Sequence, residues 1–295
     1  LPGDRTCKTD CGFIGLPSLP WVWTRNMVSV HSVDVSDPAK ASAGTHLSID
    51  GNFVDSRRIG DTLYLVSTHA PRLAAEVLPA TATAAEREAA IQNLKADDIL
   101  PRLRRNGGPA EPLLTDTDCY LQTANASAGV QITSVTMIDL KSPTLAQKSR
   151  CLVGGTEGLY MTAGHLYLAT TRYNYRQPMP AVLIYPTAMS TDIHKFALVA
   201  GNVAYRGSGE VTGHLGWDQD RKSYRMSEHN GDLRVLTYTG SIGWFALEDA
   251  ASKAASPATL TVLRERASDQ SLQALAALPN TSRPAALGKP GEQVY

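Results

Sequence analysis

Glu228, His229 and Asp232 place two carboxylates and an imidazole around the dipeptide Asn230-Gly231. Side chains of this kind do acid–base chemistry or line a binding face. Turn chemistry with exposed charge is the plainer alternative. Gly207-Ser208-Gly209-Glu210-Val211-Thr212-Gly213 has the look of a phosphate loop. Its third glycine comes one residue late for a dinucleotide fingerprint, and no strand–helix–strand pattern surrounds it, so a connecting turn is expected there. Ser208 is no nucleophile elbow, because Arg206 stands where Gly-x-Ser-x-Gly requires glycine. A hydrolase would have to assemble its Ser, His and Asp from separate loops.

Metal chemistry finds little local spacing to use. The histidines at 31, 46, 69, 165, 194, 214 and 229 form no His-Glu-x-x-His pair, and none stands four residues from another. Asp116-Thr117-Asp118 and Asp218-Gln219-Asp220 offer oxygens to calcium, but lack the glycine and distal glutamate of a calcium loop. Solvated turns are expected, and no cofactor is assigned. The four cysteines fall as a close pair, Cys7 and Cys11, and a distant pair, Cys119 and Cys151, with three connectivities open. Zinc favours two short knuckles, which this spacing does not supply. Disulfides Cys7–Cys11 and Cys119–Cys151 are therefore expected, and with them an oxidising compartment outside the cytosol.

Over 295 residues, 28 basic side chains balance 28 acidic ones. That balance removes the electrostatic footprint of a nucleic-acid binder. The basic run Arg102-Leu103-Arg104-Arg105, beside Gly107-Gly108-Pro109, reads as a solvated loop. No apolar run approaches the roughly 18 residues of a membrane span. The chain opens on Leu1-Pro2 without an initiator Met, so an upstream segment, either removed or lying outside this sequence, is expected. Trp21 and Trp23, in an irregular, Pro-rich segment over 1–27, and Trp217 are either recognition anchors or plugs between sheets. Asn125-Ala-Ser127 and Asn280-Thr-Ser282 match the glycosylation pattern without a reason to expect its use.

The elements that must position these residues repeat along the chain. Val28 to Pro38 is followed by Asp55 to Val66, and Ile132 to Pro143 by Gly158 to Ala169. From Asp34 to Gly60 is a step of 26 residues, and from Asp139 to Gly164 one of 25. Each unit reads as an apolar strand, an Asp-x-x-x-Pro turn, a second strand, and a Gly-centred hairpin into a Leu-Tyr-Leu strand. A third unit runs from Ile193 to Leu198 and from Ser223 to Leu236, with Asn230-Gly231 as its hairpin turn. A fourth opens at Leu260-Thr-Val-Leu263 and reaches Gly291-Glu-Gln-Val-Tyr295. Residues 83–100 carry helix formers with Ile91, Leu94 and Leu100 on one face, and predict a helical insertion within a longer irregular stretch over 70–115. Repeated units of short strands with little helix predict an all-β fold, a β-propeller, over 28–295 with about four blades.

At these repeats the chain resembles the secreted bacterial proteins with a C-terminal β-propeller domain distantly related to WD repeats. The matching stretches are Asp55 to Val66, Gly154 to Tyr160, Thr191 to Leu198, Tyr205 to Leu215 and Met226 to Val235. The resemblance implies a propeller fold and an exported location, in the cell envelope or outside it, and brings no reaction or catalytic residues. Domains of that group are longer at both ends, so missing segments or another chain are expected to complete the ring. The resulting expectation is a binding or scaffolding module for a protein or polysaccharide, with Glu228, His229, Asp232, Trp21 and Trp23 as its candidate binding face. A secreted hydrolase with a site on the channel face, and a structural subunit of an extracellular assembly, are the alternatives.

Overall fold

The computed structural model describes residues 27–71, 81–122, 131–175, 186–199, 201–216, 218–238 and 258–278. The first repeat forms β1 (Met27–Asp34), β2 (Ser42–Asp50), β3 (Asn52–Ile59) and β4 (Thr62–His69). The insertion that follows holds α1 (Ala84–Gln92), α2 (Ala96–Ile99), β5 (Arg102–Arg105), β6 (Ala110–Pro112) and β7 (Cys119–Leu121). The second repeat gives β8 (Ile132–Asp139), β9 (Gln147–Val153), β10 (Gly158–Met161) and β11 (His165–Tyr175). The third gives β12 (Pro186–Val199), β13 (Asn202–Thr212), β14 (Met226–His229) and β15 (Asp232–Tyr238), and the fourth opens with β16 (Ala258–Arg266) and β17 (Ser271–Leu278). The β14–β15 turn has positive φ at both Asn230 (51°) and Gly231 (84°), the backbone a type I′ hairpin requires.

Sequence repeat and blade are out of phase by two strands. The last two strands of one repeat pair with the first two of the next: β3-β4-β8-β9, then β10-β11-β12-β13, then β14-β15-β16-β17. Each is an antiparallel four-stranded blade closed by strands from two repeats. Strands β1 and β2 instead join β5 and β6 in a separate sheet, and β7 adds to the outside of β9 in parallel. The second and third blades touch edge to edge where β13 runs parallel to β17 at Ser208 and Ser271.

Three apolar seams lie between successive sheets. Leu47, Ile49 and Leu103 meet Leu65, Ile138 and Cys151 in the first. Tyr64, Val66, Val135 and Met137 meet Leu166, Leu168, Phe196 and Val203 in the second. Tyr167, Ala169, Ile193 and Val211 meet Met226, Leu233, Val235 and Leu263 in the third. Successive side chains on a strand point to opposite faces. Leu65 therefore serves the first seam while Tyr64 and Val66 serve the second. A strand covered on both faces is apolar at consecutive positions, which is why the repeats read Leu-Tyr-Leu rather than apolar-polar-apolar.

Three local expectations need correction. The run Arg102–Arg105 is strand β5, paired to β2, with Leu103 fully buried in the first seam. Its arginines lie along the sheet, with Arg104 3.6 Å from Asp50 and Arg105 donating to the Thr144 carbonyl. The predicted helix is present, started by a capping box between Thr83 and Glu86, but it buries no residue. Ile91 is 53% exposed, and of the expected apolar face Leu100, beyond α2, packs against the first seam. Gly207–Gly213 is not a turn, since all but Gly213 lie within β13. A Cβ on Gly207 or Gly209 would run into the backbone of Gln270 or Leu272, so these glycines permit the close approach of β13 to β17.

Candidate functional site

A charged network closes one end of the third seam. His165 opens β11 just after the Gly164 turn, and strand alternation sends His165 and Tyr167 toward the third blade. Met226 and Glu228, two apart on β14, face them. Tyr167 is fully buried and donates its hydroxyl to Glu228 Oε2 at 2.8 Å. His165 Nδ1 lies 2.9 Å from the same oxygen and 3.0 Å from Oε1, while the backbone N–H of Glu228 donates to Tyr160 Oη at 3.1 Å. Burial first, and then the Glu228 carboxylate, push the Tyr167 phenol well above its ordinary range, so it stays a donor.

Lys195, on β12, is buried beside this set with Nζ 3.1 Å from Glu265 Oε2 and 5.6 Å from the centre of the Tyr167 ring. Arg206 on β13 also binds Glu265, donating from Nε at 2.8 Å. Burial raises the Glu265 carboxyl, but Arg206 and Lys195 outweigh it and hold the group below its usual range. At the outer edge Arg264 grips Asp232 with two parallel bonds of 2.7 and 2.6 Å, which lowers that carboxyl.

The second blade thus supplies His165, Tyr167, Lys195 and Arg206, and the third supplies Glu228, Asp232, Arg264 and Glu265. Three carboxylates, on Glu228, Asp232 and Glu265, meet the basic side chains of Lys195, Arg206 and Arg264, so the network carries little net field. What it offers a ligand is fixed hydrogen-bonding geometry, with the His165 side chain 28% and Glu228 14% exposed. An imidazole oriented by a carboxylate is also half of an acid–base arrangement. Among the described residues, no hydroxyl or thiol side chain bonds to the His165 ring.

The residues singled out by sequence separate here. Glu228 turns inward to His165 and Tyr167, Asp232 pairs with Arg264, and His229 is exposed at the turn with Nε2 3.3 Å from Asn230 Nδ2. Trp21, Trp23 and Trp217 lie outside the described residues, as do Cys7 and Cys11. The Cys119–Cys151 disulfide is present and ties β7 to β9. Of the acidic pairs, Asp118 caps its turn through Thr115 and binds Arg150, and Asp218 accepts from the backbone of Asp220 and pairs with Arg221.

A second polar group sits in the second seam, between the first and second blades, at the opposite end of β11. Asp192 is fully buried, takes a 3.0 Å bond from Gln122 and has Arg172 Nε 2.7 Å from its other oxygen. Burial raises its carboxyl despite both partners. Two residues on, His194 is buried against Tyr205, with Nδ1 3.2 Å from the hydroxyl, and desolvation depresses it to about 4. Tyr205 stacks on Tyr120 of β7 at 4.1 Å, so the cystine-tethered strand contributes to this seam.

His165, Tyr167, Lys195 and Glu265 were missed by local reading, because their partners are distant in sequence; His165 and Glu228 are 63 residues apart. The signal that could have found them is the repeat itself, which places Tyr167 and Tyr64 at the same position of their units. No curated protein matches the chain. The family model described as a β-propeller domain matches residues 14–295, and with its four-stranded blades stacked face to face across apolar seams this chain belongs to that β-propeller family.

Proposed function

We propose that this β-propeller is an exported binding or scaffolding module, and that it holds a protein or polysaccharide ligand at the His165–Glu228–Asp232 end of the seam between its second and third blades. The observation that carries the reading is preorganisation. His165 and Glu228 are partly exposed, and each is fixed by a partner on the neighbouring blade. Recognition groups held in one geometry lose little entropy on binding. Mixed charge without net field suits a neutral glycan or the polar surface of a protein. The Cys119–Cys151 bond supports export, because such bonds persist in oxidising compartments.

The test is a glycan array and a panel of purified cell-surface proteins probed with the wild-type chain and with His165→Ala and Arg264→Ala. A ligand whose affinity falls at least tenfold in both variants supports the site. A ligand indifferent to both moves recognition elsewhere on the propeller, and turnover of an ester, glycan or peptide by the wild type would overturn the binding-module reading.

A further inference from the structure

The sheet of β1, β2, β5 and β6 carries a feature unrelated to the seam network. His31 on β1 and His46 on β2 are directly opposed in register, and their rings stack with centroids 4.1 Å apart at an angle of 7°. The backbone explains the closeness. His46 spends its N–H on Asn106 Oδ1 and its carbonyl on the Asn106 N–H, both at 2.8 Å and both on the β5 side. His31 and His46 are therefore a non-hydrogen-bonded pair, the narrower of the two antiparallel pairings, which draws side chains together. His31 is exposed and His46 half-buried, so the pair opens to solvent.

Ser48, two residues on and on the same face, lies with Oγ 3.1 Å from His46 Nε2. A hydroxyl that accepts the Nε2 proton fixes the tautomer that presents the Nδ1 lone pair, the role outer groups play around ligating histidines. Arg104 on β5, paired in register with Ser48, is the nearby cation in register, and Asp50 meets it at 3.6 Å.

We propose that His31 and His46 form a two-imidazole surface site for a borderline divalent transition cation of the Zn2+, Cu2+ or Ni2+ class. Imidazole nitrogen suits these ions, whereas calcium and magnesium prefer oxygen. Binding turns the rings about their χ2 angles from stacking to edge-on ligation. Two protein nitrogens leave the remaining positions to water, and the ion cross-links the edge strand β1 to β2.

The experiment titrates ZnCl2 and CuCl2 into the purified chain by calorimetry, beside His31→Gln, His46→Gln and, as a control at another exposed histidine, His229→Gln. The expected result is at least tenfold weaker binding in each of the first two variants and an unchanged constant in the control. Nitrogen hyperfine structure from two imidazoles in the Cu2+ spectrum, lost in either variant, reads the same site without relying on affinity. No binding by the wild type, unchanged binding in both pair variants, or an equal loss in the control would overturn the proposal.

Discussion

Glu228 is the side chain whose removal reports most directly on how two blades are joined. Glu228→Ala leaves the Tyr167 hydroxyl fully buried without an acceptor and His165 without its carboxylate. An orphaned buried hydroxyl costs about 1–3 kcal/mol, and a hydrogen bond to a charged group contributes about 1.5–3 kcal/mol. Tyr167→Phe removes the same bond from the other side and leaves Glu228 partly solvated, at a cost of about 1–2 kcal/mol. The double variant has no orphan, so the two losses do not add. A coupling of about 1–2 kcal/mol is expected from a double-mutant cycle on urea unfolding midpoints. Additivity within about 0.3 kcal/mol would refute the cross-blade bond. Because the Tyr167 phenol is raised in the folded chain, its contribution is complete below the unfolded pKa of roughly 10 and is lost as pH rises above it. Tyr167→Phe should flatten the alkaline fall in stability.

Other outcomes follow from the same geometry. His194, depressed to about 4, adds stability that is complete above the unfolded pKa near 6.5 and is lost as pH falls through the folded one. Between those limits the loss is about 1.4 kcal/mol per pH unit, and His194→Gln should lack that slope in urea midpoints measured from pH 7.5 to 4.5. Cys119→Ser opens a loop closed across 32 residues and should cost about 3–4 kcal/mol by the chain-entropy relation, with reduction lowering the wild-type Tm by a similar amount. Gly209→Ala forces a Cβ into Leu272 and should cost about 1–3 kcal/mol. Gly164→Ala, where a Cβ meets nothing, should cost far less in the same unfolding assay.

Much of the scaffold was legible in the sequence because it is written locally. Asn230-Gly231 specified its hairpin through backbone sterics, and the matched spacings Asp34 to Gly60 and Asp139 to Gly164 marked equivalent strands of two repeats. The pairing Cys119–Cys151 followed from counting and chemistry. What was not legible is long-range. A repeat has no natural first strand, so its period could not say that β4 pairs with β8 and closes a blade across the repeat boundary. Arg102–Arg105 looked like a loop because its charges hid Leu103, the residue that buries the strand. Gly207 and Gly209 looked like turn glycines, although what demands them is a neighbouring backbone. His31 and His46 carry no helical spacing that would mark them, because a strand pair, not a helix, brings them together.

Each blade joins the end of one repeat to the start of the next, and that join is tested by pairing cysteines at Arg234 on β15 and Val262 on β16, register partners across the boundary between the third and fourth repeats. The expected result is an Arg234→Cys/Val262→Cys cross-link under mild oxidation, seen as a linked peptide by mass spectrometry, in a chain that keeps its wild-type circular dichroism. A folded double variant that leaves both thiols free would contradict the two-strand offset on which the blades and their seams depend.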